Sequence, residues 1–523
     1  MKRLLALLLV FAALTALISG CASEKDSTYV PTGDAILMED DPDPTEEDTL
    51  ADQTMILAYY PNRSMNPIIG MNFSNRVLFS LMYQGLFAYN SSNETTPILC
   101  SRYRVNSNNT IYTFYVDDNA RFSDGTRVTA NDVLASYQAA QQSDFYKGRF
   151  THIAEIKLHD DGQGVMFYLD TSYQNLPLLL DIPIIKSGTK DEVSPPGTGP
   201  YEFAETKLTR CKNWWRDTPP LVDFDEIALT VSSTAADVRD NFEYQKVNMV
   251  LTDPNSSAFA GFHNDFELWN EETTIMQYIG YNMNSPVFSN YGLRGAITFA
   301  IDREQLVGQT LGGFAVASTL PCSPNSRYYD VKLANSFAYD TGSYYDQLAS
   351  ASVEDATGDG ILDLYVPSKG YSVPVEGTMI VCSSSYIRVQ AANEVARMLN
   401  SLGFNITVKS MEYSEYKQAL LQGNFDLYYG EVRLSPNFDL SPFFGATGTL
   451  NYGDLADSTM MNLCSMALVN SGNTYNLYKR VCERGYITPI LFKSYALYTT
   501  RGAVTEPTRY LDWFLPYTVQ TEE

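Results

Sequence analysis

The stretch TMIVCSSSYIRVQAANEVARMLNSLGFNITVKSMEYSEYKQALLQGNFDLYY, residues 378–429, decides the fold class. Thr378 to Cys382 reads as a strand, Tyr386 to Leu402 as a helix, and Gly403 supplies the backbone freedom that closes that helix. Asn405 to Lys409 is again a strand, Ser414 to Gln422 a helix and Phe425 to Tyr429 a strand. A β-α-β-α-β order implies a mostly parallel sheet flanked by helices, which places the chain in the α/β class. Two more helices, Met460–Val469 and Tyr475–Arg484, lead to a strand at Ile487–Phe492.

Upstream, Gln53 to Tyr60 reads as a strand and Asn75 to Leu86 as a helix with Val77, Leu78, Leu81 and Met82 on one face. Thr110 to Val116 alternates and is rich in β-formers. In RFSDGTRVTANDV, residues 121–133, Asp124-Gly125 signals a turn, and Thr129 followed by Asp132 is a capping-box pattern. Gly197-Thr198-Gly199-Pro200 is a loop before a strand at Tyr201-Glu202-Phe203, and the two glycines suit unusual backbone angles. Leu293, Ala296, Ile297, Ala300 and Ile301 form the stripe of a helix packed on a core, and Asp302 caps the next turn.

A chain of 523 residues exceeds what one core usually holds, so two or more lobes are expected. The 61 acidic residues against 36 basic ones give a net charge of −25, which argues against nucleic acid or anionic lipid as a partner. Lys2 and Arg3 precede an apolar run, Leu4 to Ile18, too short to span a membrane but suited to a signal peptide. Its end, Leu17-Ile18-Ser19-Gly20-Cys21, resembles a bacterial lipobox, which implies lipidation of Cys21 after cleavage. Residues 22–52 are dense in Asp and Glu and read as a disordered, self-repelling tether.

Six further cysteines, Cys100, Cys211, Cys322, Cys382, Cys464 and Cys482, contain no CxxC pair. Either Cys464 pairs with Cys482 or all six are buried thiols. Ser187-Gly188-Thr189-Lys190 matches an SxxK catalytic pattern, but Pro183 and Gly188 make it a loop, whereas that chemistry needs a helix start. Asp355, Thr357, Asp359, Gly360 and Asp363 mimic half of a calcium loop, yet position 12 is Val366 and not glutamate, so a hydrophilic turn is the simpler reading. The three histidines, His152, His159 and His263, are scattered, and no catalytic constellation or cofactor motif assembles.

Three segments together resemble family 5 of the extracytoplasmic solute-binding proteins of ABC transporters, the peptide- and nickel-binding type. They are RFSDGTRVTANDVLASY (121–137), GTGPYEF (197–203) and YNMNSPVFSNYGLRGAITFAIDREQLV (281–307), in the family's order and spacing. The resemblance runs from about Gln53 to the end. It implies a two-lobed, periplasmic-binding-protein-like fold (type II, class C) with an extra inserted domain and no cofactor. Domain I would comprise 51–84, 196–286 and 488–523, domain II 85–195 and domain III 287–487, with hinges near Pro286 and Gly485–Pro489. The three segments themselves read as scaffold.

The resemblance implies ligand contacts elsewhere. Gly70, Met71, Asn72 and Phe73 match one peptide-lining segment, and Tyr429, Gly430, Glu431, Val432 and Arg433 match a strand that pairs with peptide backbone. Tyr413 matches a lining aromatic. Where peptide-binding relatives carry an aspartate for the ligand's amino group, this chain has Ser435, so Asp439 or Glu431 is expected to take that role, unless the ligand lacks an ammonium. The expectation is a monomeric, lipid-anchored protein on the extracytoplasmic face of the membrane, delivering an oligopeptide to permease subunits. An oligosaccharide, stacked on some of the 37 tyrosines or on Trp214, Trp215, Trp269 or Trp513, is the alternative, as is a sensor using the same cleft.

Overall fold

The computed structural model describes residues 55–90, 92–216, 224–256, 261–367, 369–501, 508–510 and 513–515. The signal segment, Cys21 and the acidic stretch 22–52 lie outside the described residues. In chain order the strands used below are β1 (Ile56–Tyr59), β2 (Cys100–Val105), β3 (Ile111–Val116), β4 (Ile153–Leu158), β5 (Gly164–Leu169), β6 (Tyr201–Ala204), β7 (Lys207–Arg210) and β8 (Glu226–Val231). They continue as β9 (Met249–Thr252), β10 (Glu267–Tyr281), β11 (Ala315–Ala317), β12 (Glu376–Cys382), β13 (Asn405–Met411), β14 (Leu427–Arg433) and β15 (Ile487–Thr499). The helices are α1 (Arg76–Met82), α2 (Ala130–Ala140), α3 (Ala235–Glu243), α4 (Tyr291–Ala300), α5 (Arg303–Thr310), α6 (Thr341–Ser350), α7 (Tyr386–Asn400), α8 (Tyr413–Gln422), α9 (Ser458–Val469) and α10 (Thr474–Arg484).

The β-α-β-α-β reading holds. β12 pairs in parallel with β13 on one side and β14 on the other, joined through α7 and α8. These strands belong to an 11-stranded mixed sheet in the order β13-β12-β14-β10-β15-β9-β1-β8-β7-β6, with β11 added on β15. β2, β3, β5 and β4 form a separate four-stranded antiparallel sheet, the inserted domain. One apolar core joins that insert to the β1 half of the large sheet, through residues such as Tyr83, Leu86, Phe114, Tyr137, Ile182 and Leu229. A second core fills the β12 half and is built on Leu293, Ala296, Ile297, Ala300 and Ile301, the stripe read from the sequence, together with Val381, Val395 and Leu427. The fold is thus two-lobed.

The two halves of the large sheet share β10 and β15, which run antiparallel through both. The first part of β10, Glu267–Glu272, lies against Ser494–Thr499, and that part of β15 also pairs with β9. The second part, Ile275–Tyr281, pairs with β14. Between Glu272 and Met276 the register slips: on the β15 side Thr273, Thr274 and Ile275 lie opposite the single residue Lys493, a bulge that bends and twists the ribbon. The chain therefore passes between lobes within two long strands. Pro286 and Gly485, expected as hinges, follow β10 and precede β15 on the β14 side.

Local signals behave as read, with one difference. Thr129 and Asp132 form the reciprocal capping box that starts α2, and Asp302 accepts from the Gln305 amide at 2.9 Å to start α5. Gly125 has φ +81° in the Asp124-Gly125 turn. Gly197 and Gly199, however, do not have positive φ. They are small because the chain runs against α1: a Cβ there would strike the carbonyls of Met82 and Leu81. Trp214 and Trp215 each donate an indole N–H to Thr198 O at 3.0 Å and fix that turn, so they are scaffold.

Arg294, inside the third resemblance segment, has a larger role than the stripe implied. Its guanidinium donates to the carbonyls of Gly485 (2.8 Å), Phe288 (2.7 Å), Ser289 (2.8 Å) and Arg484 (3.1 Å). It thus ties the segment after β10 to the segment before β15. Arg303 does the same with Pro489 O (2.9 Å) and Thr298 O (3.0 Å). Burial pushes both arginines down to about 10.

The six cysteines are free thiols, which is the second of the two readings: Cys464 and Cys482 are not bridged. Cys482 instead donates to Thr319 O at 3.5 Å, and burial pushes it up to about 12. Alkylation of the unfolded, unreduced protein followed by peptide mass mapping is expected to find all six positions modified; a disulfide-linked peptide pair would contradict this.

Candidate functional site

The candidate segments come together where β10 and β15 cross between lobes. β14 pairs with β12 only as far as Val381↔Tyr429. Gly430–Arg433 continue past that point, paired with β10 on one edge (Tyr278 to Ile275) and with no strand among the described residues on the other. Gly430 has to be glycine because a Cβ would lie 2.8 Å from the Tyr278 ring. Tyr429 is buried, and its hydroxyl donates to Gln277 Oε1 at 2.9 Å, so it is a wall residue.

Glu431 sits in a fixed charge network. Arg388 Nη2, from α7, is 2.9 Å from one carboxylate oxygen. Gln277 Nε2 (2.8 Å) and Lys493 Nζ (3.7 Å) approach the other. Burial alone would raise the Glu431 pKa, but Lys493, Arg388 and Gln277 overcome it and hold the carboxyl below its ordinary value. The Lys493 ammonium also lies 2.6 Å from Asp253, just after β9. Burial would lower its pKa, and the Glu431 and Asp253 charges raise it instead. Lys493 faces the bulge of β10, so one ammonium bridges a carboxylate from each half of the sheet at the point where the ribbon bends.

Tyr495, two residues on, links both candidate segments. Its ring packs on Phe73 at 4.7 Å, and its hydroxyl accepts from Arg433 Nη2 at 2.9 Å. Phe145 of the inserted domain lies under the Arg433 guanidinium at 5.0 Å. Met71 packs on the first core. Asn72 donates to the carbonyls of Ser64 and Gly70, both at 2.8 Å, and a Cβ at Gly70 would strike Ser64. Three of the four residues in 70–73 thus shape the loop, and Phe73 alone reaches the crossing strands.

Asp439 and Ser435 face the inserted domain. The Asp439 side chain is buried and already filled: His152 Nε2 lies 3.0 Å away, the Ser441 hydroxyl donates at 2.6 Å and the Ser441 amide at 2.9 Å. Burial would raise its pKa, yet His152 and Ser441 hold it below the usual carboxylate range. Ser435 Oγ donates to Gly148 O at 3.0 Å. Tyr413 starts α8 and is 63% exposed; Tyr386, 64% exposed, starts α7 on the neighbouring strand's end. The Cys382↔Met411 pairing puts both tyrosines on the carboxyl edge of the parallel strands, where open α/β sheets bind ligands.

Lys493, Asp253, Arg388, Gln277, Tyr495, Tyr386 and His152 were not singled out from sequence as site residues. Their sequence signal is thin: a lone lysine inside an apolar run, such as Lys493 in ILFKSYALY, marks a buried charge that must find a partner.

No group of three or more metal-ligating side chains occurs among the described residues. In the Asp355 loop the carboxylates are taken by the loop's own amides: Asp355 accepts from Gly358 (2.6 Å) and Gly360 (2.9 Å), and Asp363 from Ala356 (3.1 Å). Ser187 accepts from Asn131 Nδ2 at 3.1 Å in a loop outside any helix. No helix among the described residues is long and apolar enough to cross a membrane.

Comparison with known proteins agrees with this fold. A family profile described as "Bacterial extracellular solute-binding proteins, family 5 Middle" matches residues 94–451. The oligopeptide-binding protein AppA of Bacillus subtilis (strain 168) is 26% identical over 341 residues, covering 60% of this chain and 61% of that protein. The glutathione-binding protein GsiB of Salmonella typhi is 23% identical over 299 residues, covering 53% of this chain and 58% of that one. The chain thus spans about three-fifths of the length of these curated relatives. Among solved structures, Bacillus subtilis AppA in complex with a nonapeptide superposes with TM-score 0.61 at 19% identity, covering 89% of this chain and 99% of that one. NikA of Brucella suis in complex with Fe(III)-EDTA gives TM-score 0.68 at 18% identity, covering 89% of this chain and 100% of that one. A match over residues 94–451, a two-lobed sheet joined by two shared strands, and an open strand edge at their crossing lead to one conclusion: the chain belongs to family 5 of the bacterial extracellular solute-binding proteins.

Proposed function

We propose that the protein captures an oligopeptide between its two lobes and delivers it to the permease of an ABC transporter, held at the extracytoplasmic face by a lipid on Cys21. The observation that carries the peptide reading is the open edge of β14 at Gly430–Arg433. An extended peptide added there gains main-chain hydrogen bonds whatever its side chains. Phe73, Tyr495 and Arg433 form the adjoining wall. The hinge of this reading is the β10 bulge at Thr273–Ile275 facing Lys493, because the lobes share only β10 and β15 at that point of the sheet. The domain boundaries accordingly fall inside those strands.

Both acids proposed for the ligand's amino group are neutralised from within the protein, Glu431 by Arg388 and Lys493, Asp439 by His152. The ligand is therefore held by its backbone and not by an ammonium–carboxylate pair. The exposed Tyr386 and Tyr413 favour one second reading, a glycan stacked on their rings.

Native mass spectrometry of the protein purified from its own host tests both. A ladder of residue-spaced cargo masses is expected, with peptides blocked at the amino terminus retained as well as free ones. Hexose-spaced masses would overturn the peptide reading in favour of the glycan.

A further inference from the structure

We propose that His152 of the inserted domain is a positioning residue for ligand capture: it clasps the segment that continues the ligand-binding strand and makes lobe closure proton-dependent. This rests on the reading of the cleft as a ligand site closed by lobe movement.

β14 leads toward the inserted domain. After Arg433 the chain runs through 434–441 directly onto the inserted domain. Two contacts there involve no titrating group: Asn93 Nδ2 donates to Pro436 O at 2.9 Å and Ser435 Oγ to Gly148 O at 3.0 Å. Beside them the Gln174 main-chain amide donates to Leu468 O, in α9, at 3.4 Å. His152 adds a contact that titrates. Its Nε2 lies 3.0 Å from Asp439 and 3.1 Å from the Ser441 hydroxyl, while its Nδ1 lies 3.3 Å from Asp170, in the inserted domain.

This geometry asks for the imidazolium. The Ser441 hydroxyl donates its proton to Asp439, so Nε2 faces a carboxylate and a hydroxyl oxygen that has already given its hydrogen away. Nδ1 faces a second carboxylate. A neutral imidazole has one N–H and would aim a lone pair at an acceptor; only the doubly protonated ring satisfies both sides.

The surrounding charges agree. On the inserted domain Asp170 faces the ring, and nearby Arg149 is engaged by Asp181 at 2.8 Å and 2.9 Å. From the other lobe Asp439 faces it, with the Cys464 thiol and Arg327 lining the same small cavity of about 40 Å³ as Asp439. Burial would lower the His152 pKa, but Asp439 and then Asp170 raise it above the ordinary value.

Opening the lobes separates His152 from Asp439 and returns its pKa toward that of an exposed histidine. Closure thus takes up a proton. The clasp is fully present below the ordinary pKa of 6.5 and is lost as pH rises through the raised value. The consequence is tighter capture in acid surroundings and easier release in alkaline ones. A purely structural histidine would not produce this profile.

The test measures closure without cargo. Spin labels at exposed Asn108, in the inserted domain, and exposed Gln422, at the end of α8, report the lobe separation of the unliganded full chain by pulsed dipolar spectroscopy from pH 5 to 9. The closed-to-open ratio is expected to fall as pH rises, by up to about tenfold per pH unit between the ordinary and the raised pKa. His152→Gln and Asp439→Asn are expected to flatten the profile. Asp170→Asn alters a carboxylate that is 56% exposed and so leaves the fold intact; it is expected to move the midpoint to lower pH.

An unchanged profile in folded His152→Gln and Asp170→Asn, or no pH dependence in the wild type, would overturn the clasp while leaving peptide capture standing. A pH-driven closure in a protein that carries only hexose-spaced cargo would overturn the peptide reading and support the clasp.

Discussion

Replacing Arg294 with methionine is expected to destabilise the second lobe by about 3–5 kcal/mol and to lower its melting temperature by on the order of 10 °C. The reason is the number of acceptors it serves. Its guanidinium satisfies the carbonyls of Phe288, Ser289, Arg484 and Gly485, and its side chain is buried. Methionine fills a similar volume but leaves those carbonyls without their donor, at about 1–3 kcal/mol for each buried group that water cannot reach. Gly485 is held against Arg294 as well: it has φ +54°, and a Cβ there would lie 2.5 Å from the arginine Cβ. Arg294→Lys is expected to restore little, because one ammonium cannot reproduce a planar fork that reaches two separate segments. Thermal unfolding followed by circular dichroism checks the magnitude. A loss below about 1 kcal/mol for the methionine variant would mean that the four carbonyls find other donors.

The second large effect is expected at Lys493. Lys493→Met removes the cation between Asp253 and Glu431 and leaves two carboxylates in a largely buried site, with Arg388 serving only Glu431. Breaking one partner of such a network costs about 3–5 kcal/mol. In the wild type the Glu431 pKa is lowered, so its contribution is present above the ordinary value of 4.5 and is lost as pH falls through the lowered one. Lys493 is raised, so its contribution is present below 10.5 and is lost as pH rises through the raised value. Wild-type stability from this network is therefore flat through the neutral range. In the variant Glu431 loses the nearby Lys493 charge that holds its pKa down and is expected to protonate more readily, so part of the deficit returns on acidification. Adding Asp253→Asn to Lys493→Met is expected to recover part of the loss at neutral pH, a coupling that chemical denaturation of the single and double variants would measure. Strict additivity would show that the ammonium does not bridge the two carboxylates. Because Lys493 faces the bulge between the lobes, the same variant is also expected to shift the balance between open and closed forms.

What the sequence determined by itself lies where local rules and tertiary packing agree. The run from Thr378 to Tyr429 alternates β-branched strands with helices bearing one apolar face, and each element forms at its expected place because its pattern, its caps and Gly403 all favour the same state. The stripe from Leu293 to Ile301 is core for the same reason. The Asp124-Gly125 turn and the Thr129–Asp132 capping box need only their own backbone.

Tertiary structure decided the rest. β15 extends to Thr499 although Lys493 and Ser494 interrupt its apolar run, because Asp253 and Glu431 neutralise the lysine from distant parts of the chain. β10 continues through Glu271-Glu272-Thr273-Thr274, a polar stretch with no apolar face to mark it as strand, because Glu271 and Glu272 pair with β15 and Thr273 donates to Lys493 O at 2.7 Å. Gly197 and Gly199 are required by the carbonyls of α1 and not by their own φ. The candidate site follows the same division. Phe425 to Tyr429 was legible as a strand and Gly430 to Arg433, through the resemblance, as the segment after it; that the strand runs on to Arg433, and that Glu431 is filled by Arg388 and Lys493 and Asp439 by His152, depends on partners 43 to 287 residues away. A charge states in sequence only that it needs a partner when buried; which partner it finds is fixed when two long strands bring the lobes together.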